Sequence, residues 1–201
     1  PAGVAFFSGA TRSPEYREMN VMAEAPVLIH HRADGDFRLS QSGSILTYLS
    51  RHLGRFGPET EAEDYEILRW ILFDNHKLTS YTATARFMAH FQKKVDDPVT
   101  KFFHARAVNA WKVLDQHLAG REWVAAPRPT IADLSLCGYL FFEDEIGLRF
   151  AESHPAIARW LGGDPSRLRT ASRTTPNGGE PRPGHVVLDC SAAAALGIRC
   201  R

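Results

Sequence analysis

No apolar run in this chain approaches the ~20 residues of a membrane span, and its N-terminus lacks the basic-then-apolar pattern of a signal peptide. Charge of one sign is also missing. The 24 lysines and arginines against 23 acids leave a formal net charge of +1, with no broad pull toward nucleic acid or an anionic membrane. Cysteine is scarce: Cys137, Cys190 and Cys200 come too late and are too few for a disulfide framework, which fits a reducing compartment. Cys137 lies in an apolar helical pattern and reads as a packed thiol, not a nucleophile. The nine histidines lack metal-ligand spacing. His30 and His31 alternate across a strand, while His76, His90, His104 and His117 are scattered over helices without acidic or cysteine companions. There is no phosphate-binding glycine loop, Ser-His-Asp elbow or cofactor fingerprint. The expectation is a cytoplasmic globular protein with no metal, no nucleic-acid partner and no membrane partner.

At 44% hydrophobic content, 201 residues suffice for one good-sized domain or two small ones. Val4-Ala5-Phe6-Phe7 reads as a short strand, and Ser13-Pro14-Glu15 supplies a cap, a first-turn proline and an early acid for a helix reaching about Asn20. Pro26 then opens a β-rich run, as befits a residue without an amide hydrogen, and by itself reads as a turn or edge proline. Val27 to His31 and Phe37-Arg38-Leu39 flank Asp34-Gly35, a strong hairpin signal. Gln41 and Ser42 precede Ile45, Leu46 and Leu49, so a helix starts there with free amide hydrogens and its positive end outward. Such an end binds carboxylates. Gly54 caps this helix after Leu53, and residues 55–61, with Gly57 and Pro58, read as a linker.

Beyond the linker the hydrophobic period changes from two to about 3.6. Tyr65, Leu68, Leu72, Leu78, Tyr81 and Phe87 recur as one helical face. Asp97-Pro98 starts a second helix, with Phe102, Phe103, Ala110, Val113, Leu114 and Leu118 as its buried side and Gly120 as its stop. Thr130-Ile131-Ala132-Asp133 has the form of a capping box for a third.

Ala25-Pro26-Val27-Leu28, the hairpin and Gln41-Ser42-Gly43-Ser44-Ile45-Leu46-Thr47-Tyr48-Leu49 together resemble the glutathione-binding half of the bacterial-type cytosolic glutathione transferases. The Thr130-Ile131-Ala132-Asp133 cap, Glu122-Trp123-Val124 and Pro155 to Trp160 fit the family's helical second domain, so the resemblance covers residues 4–161. It implies an α/β thioredoxin-like domain, truncated, over residues 1–54, a linker over 55–61 and an all-α bundle over 62–161. It also implies glutathione as co-substrate. The Ala25 backbone, held by Pro26, would pair with the cysteinyl part, and Gln41 and Ser42 would hold the γ-glutamyl end. Arg12 would reach the glycyl carboxylate, with a solvated loop arginine as its alternative. Phe73, Asn75, Lys77, Tyr81 and Arg86 are candidates for the electrophile pocket, with core packing as theirs. A two-fold homodimer is implied as well.

Two departures stand against the family pattern. The family domain begins with a strand and helix for which the three residues before Val4 leave no room, and that unit holds the residue that activates the glutathione sulfur. No catalytic residue is therefore assigned: Ser8, Ser13 and Tyr16 read as loop and cap residues, and Val4 to Phe7 is expected to lack a family-type ladder partner. Residues 162–201 contain no aromatic residue or lysine and read as a disordered or atypical tail, suggestive of a changed reading frame, with Val186-Val187-Leu188 and Ala192 to Leu196 as its only candidates for structure. The expected function is conjugation of glutathione thiolate to small hydrophobic electrophiles by the full-length form. Glutathione-dependent reduction or isomerisation, and a non-catalytic binding or interaction module, stay open beside it.

Overall fold

The computed structural model describes residues 8–162, apart from the side chain of Phe141, and the backbone of residues 198–200. The strand expected over Val4 to Phe7 and the candidates at Val186 to Leu188 and Ala192 to Leu196 lie outside the described residues. The chain divides into two compact units, parting between Arg55 and Phe56.

In the first unit a 3₁₀ turn, Ala10–Arg12, leads into α1, Pro14–Met19. The Ser13 side chain accepts from the Tyr16 amide and Pro14 occupies the first turn, as the sequence requires. β1, Val27–Arg32, and β2, Gly35–Ser40, form the antiparallel hairpin, registered Val27 to Ser40 and Arg32 to Gly35. Gly35 has φ +121°, a value open to glycine. Alternation sorts β1 onto two packing faces. Leu28 packs with Ile45, Leu39, Tyr48 and Leu49, whereas Val27 and Ile29 pack with Tyr16 and Met19 of α1. α2, Ser42–Leu53, supplies Ile45 and ends at Gly54 in the left-handed region.

The tail reading needs a correction at its end. Ile198–Cys200 form β3, antiparallel to β1 with Leu28 opposite Cys200, and the sheet order is β2-β1-β3. A three-residue ladder is made by backbone groups on an open edge, so it leaves little trace in side-chain composition.

In the second unit α3, Glu61–Phe73, continues through a π-type turn, Asp74–Leu78, into α4, Thr79–Arg86, and a second π-type turn, Phe87–Phe91. α5, Pro98–Leu118, is capped by the Asp97 side chain, which accepts from the Val99 amide. α6, Ile131–Leu136, carries the expected capping box. A 3₁₀ stretch, Cys137–Phe142, precedes α7, Glu143–Ile146; α8, Phe150–Ser153; and α9, Pro155–Leu161. α4 packs on α5, α3 on α6 and α5 on α9. Trp111, Leu78, Leu114, Leu118, Leu136 and Ile157 form the inner layer, where the Trp111 indole donates to the buried Thr82 hydroxyl at 3.1 Å.

The face expected to be buried on this long helix is corrected. Tyr65, Leu68 and Leu72 are 65%, 49% and 59% exposed, and Ile67, Trp70 and Ile71 go inward in their place, whereas Leu78, farther along the expected face, is buried as expected. α3 carries two apolar rows of helical spacing, Tyr65-Leu68-Leu72 and Ile67-Trp70-Ile71, and its packing against neighbouring helices, α6 among them, covers the second. On α5, Ala110, Leu114 and Leu118 are buried as expected, but Phe102 and Val113 are exposed. No helix among the described residues is long and apolar enough to cross a membrane.

Candidate functional site

Glu24 is the anchor of the polar edge. Its carbonyl accepts the Tyr16 hydroxyl at 3.0 Å and the Asn20 side-chain amide at 2.6 Å. The next peptide, Ala25-Pro26, is cis. Among the described residues the Ala25 backbone takes part in no hydrogen bond, and Ala25 and Pro26 are exposed. That leaves a solvent-facing peptide edge to which an extended ligand can add.

The register carries this edge to the start of α2. Val27 lies opposite Ser40, so Pro26 and Gln41 stand side by side just outside the paired strands. Gln41 has φ +69°, an uncommon value for a residue with a Cβ, and its side-chain amide donates to the Glu24 carboxylate at 3.0 Å and to the Met22 sulfur at 3.1 Å. No side chain caps α2. The amides of its first turn, with the exposed Ser42 and Ser44 hydroxyls, thus form an open positive end. The structure brings Ala25, Pro26, Gln41 and Ser42 together. Arg12 sits exposed in the 3₁₀ turn, with no ion pair among the described residues.

Glu24 was not singled out from the sequence. The signal was available: an acid directly before Ala25-Pro26, at the level of Gln41 once the hairpin is closed. The three hydroxyls set aside as catalytic serve local structure. Ser8 Oγ accepts from the Ala10 amide, Ser13 caps α1, and the Tyr16 hydroxyl donates to Glu24, with burial pushing its pKa up.

Behind β1, on the Leu28 side, lies a second polar group. The His30 ring meets the Tyr48 hydroxyl at 2.6 Å and the His52 ring at 4.8 Å between centroids. Arg32 donates to the Tyr48 hydroxyl at 2.8 Å and covers the Phe37 ring at 4.2 Å. His31 instead faces out toward Asp36.

In the second unit the five pocket candidates have separate surroundings. Lys77 and Tyr81 sit together, with the ammonium 6.0 Å from the ring centroid. Phe73 meets Trp70 edge-on, and Asn75 donates back to the Ile71 carbonyl at 2.8 Å. Arg86 pairs with Glu145 and lies 3.7 Å over the Phe142 ring. None of the five lines the cavity of about 570 Å³ found at the far ends of α4 and α5.

Buried ionisable groups in this unit are held by neighbouring hydroxyls and backbone groups. Asp74 accepts from Thr79 and Ser135, and burial pushes its carboxyl up. Burial, with Asp74 and Asp133 nearby, pushes the Cys137 thiol up to about 11. Such a thiol is protonated at neutral pH and makes a poor nucleophile. Among the described residues no group of three or more His, Cys, Asp and Glu side chains is gathered for a metal.

No family model matches the sequence. The chain is 27% identical over 124 residues to the disulfide-bond oxidoreductase YghU of Escherichia coli, covering 62% of this chain and 43% of that protein. It is 30% identical over 140 residues to the glutathione S-transferase GST-4.5 of Xanthomonas campestris, covering 65% of this chain and 62% of that protein. The chain thus spans less than two thirds of the length of either relative. Among solved structures, a glutathione transferase from Burkholderia graminis with two glutathione molecules bound per subunit matches with a TM-score of 0.69 and 26% identity, over 80% of this chain and 70% of that one. In sequence and in fold, with its thioredoxin-like hairpin edge, open helix start and helical unit, the chain is thus similar to bacterial glutathione S-transferases.

Proposed function

We propose that this protein binds glutathione at the Ala25-Pro26 and Gln41-Ser42 edge and serves a cytoplasmic, glutathione transferase-type enzyme of detoxification that attacks small hydrophobic electrophiles with glutathione thiolate. The single observation that carries the reading is the convergence, through the hairpin register, of an unpaired Ala25 backbone with the uncapped start of α2. Glutathione has the matching parts. Its cysteinyl amide and carbonyl suit the Ala25 edge, its γ-glutamyl carboxylate suits the α2 amides and the Ser42 hydroxyl, and its ammonium suits the Glu24 carboxylate. Arg12 is the proposed partner of the glycyl carboxylate, and Phe73, Asn75, Lys77, Tyr81 and Arg86 of the second unit are the proposed contacts of the electrophile.

Retention on immobilised glutathione and calorimetric titration with glutathione test this reading. The chain is expected to bind, and the variant carrying Gln41→Ala and Ser42→Ala to lose binding. Absence of binding by the unaltered chain, or equal binding by both proteins, overturns it.

A second reading, glutathione-dependent disulfide reduction, is favoured by the likeness to the E. coli oxidoreductase and by the two glutathione molecules bound per subunit in the B. graminis enzyme. One glutathione thiolate would attack the substrate disulfide, forming a mixed disulfide and releasing one thiol. A second would attack the mixed disulfide, yielding glutathione disulfide and the other thiol. Turnover of an aryl chloride against turnover of hydroxyethyl disulfide, each with glutathione, separates the two reactions.

The exposed stripe Tyr65, Leu68 and Leu72 on α3 supports a homodimer as the working form. Leu68→Glu is expected to convert dimer to monomer in sedimentation, and a monomeric unaltered chain at micromolar concentration removes the proposal.

A further inference from the structure

The cavity of about 570 Å³ in the helical unit lies within the size range of small-molecule sites and is separate from the glutathione edge. One part of its wall is apolar, made by Ala85, Ala89, Val95 and Ile146. Three acids also line it, and each has a cation of its own. Asp96 meets Lys101 at 3.2 Å, Asp144 meets Arg149 at 3.0 Å, and Glu145 pairs with Arg86.

What remains unmatched in the wall is a set of donors. Lys93 and His104 have no polar partner among the described residues. His90 comes no nearer than 3.9 Å to Glu145. Thr100 is 3% exposed and its Oγ1 has no hydrogen-bond partner, an uncommon state for a buried hydroxyl. A change of χ1 rotamer re-aims the hydroxyl without moving the backbone. Thr100 also stands in the first turn of α5, a 21-residue helix whose positive end carries the Asp97 carboxylate on the Val99 amide. Lys93 is held at φ +56° just after the second π-type turn, in the left-handed region where a lysine is uncommon.

We propose that this cavity is a binding site for a small organic carboxylate with an apolar body. The carboxylate would be met by Lys93, His104 and the Thr100 hydroxyl, and the body would rest against Ala85, Ala89, Val95 and Ile146. The site goes beyond the glutathione reading, since it shares no residue with that edge.

The test is titration of the 201-residue chain with phenylbutyrate and, separately, with the neutral phenylbutyramide, read by calorimetry and by histidine ring proton shifts. Phenylbutyrate is expected to bind and to shift His90 and His104, with the amide at least about tenfold weaker, the usual discrimination of a site with charged donors. Lys93→Gln together with His104→Gln should weaken the acid about tenfold and leave the amide and glutathione retention unchanged. Lys93→Gln alone, at an exposed position, serves should the double variant unfold, with a smaller loss in the same direction. Absence of binding overturns the proposal, as does equal binding of acid and amide, which would mean an apolar hollow only. Loss of phenylbutyrate binding in the Gln41→Ala, Ser42→Ala variant with retention in Lys93→Gln also overturns it, because the acid would then occupy the glutathione edge.

Discussion

Polar groups are used in opposite ways in the two units. At the hairpin edge Ala25, Gln41 and Ser42 are exposed, and the Ala25 backbone and the Ser42 side chain keep their hydrogen-bonding capacity open. In the helical unit Asp133, Asp74 and Thr82 are buried and spend theirs on other side chains and amides of that unit. The contrast separates binding from stability. A group facing water with a free amide beside it contributes little to folding and much to a ligand, whereas a buried group whose partners are all inside does the reverse.

The largest expected break in that contrast is Asp133→Ala. The Asp133 carboxylate accepts the Val124 amide and the Thr130 amide, both at 2.9 Å, and the Thr130 hydroxyl at 3.0 Å. Losing it strands buried donors and should cost about 3 kcal/mol or more in urea unfolding, with no loss of glutathione affinity in the protein that stays folded. Gln41→Ala with Ser42→Ala should show the reverse pattern: glutathione affinity falls at least about tenfold, or about 1.4 kcal/mol, while the urea midpoint hardly moves.

Asp74→Asn sharpens the comparison through pH. Burial raises the folded pKa of Asp74, so its protonated form favours the fold below the unfolded value and that favour is lost as pH rises through the folded value. The asparagine variant should therefore gain stability relative to the unaltered chain between acid and neutral pH. A difference that stays constant across that range would contradict the assignment. The smallest effect belongs to Glu63, whose carboxyl the Arg128 guanidinium holds down at about 2. Arg128 also donates to the Gly57 carbonyl at 3.0 Å and meets Glu59 at 2.9 Å. The sign is opposite to that of Asp74: this contribution is present above about 4.5 and lost as pH falls toward about 2. Glu63→Gln should flatten that part of the acid-denaturation curve and leave neutral stability and glutathione binding nearly unchanged.

Much of the proposed binding edge was legible because its determinants are local. Asp34-Gly35 closes the hairpin, Gln41-Ser42 opens α2, and the hairpin register then sets Pro26 beside Gln41. Glu24 escaped because its role depends on a side chain 17 positions away. The helical unit was legible in kind but not in facing. Tyr65, Leu68 and Leu72 keep a helical spacing that matches a buried stripe, and only the neighbouring helices, α6 among them, put Ile67, Trp70 and Ile71 inside instead.

The sequence by itself determined where elements start and stop: the Ser13-Pro14 and Asp97-Pro98 starts, the Thr130 to Asp133 box, and the Gly54 and Gly120 ends. Capping, turn chemistry and fixed φ act over a few residues, so their outcome is set before the chain folds. Tertiary structure alone decided the pairing of Arg86 with Glu145 across 59 positions, the addition of Ile198–Cys200 to β1, and the gathering of Lys93, Thr100 and His104 around one cavity. Those arrangements depend on which surfaces meet when apolar area is buried, and no local pattern in the chain encodes that meeting.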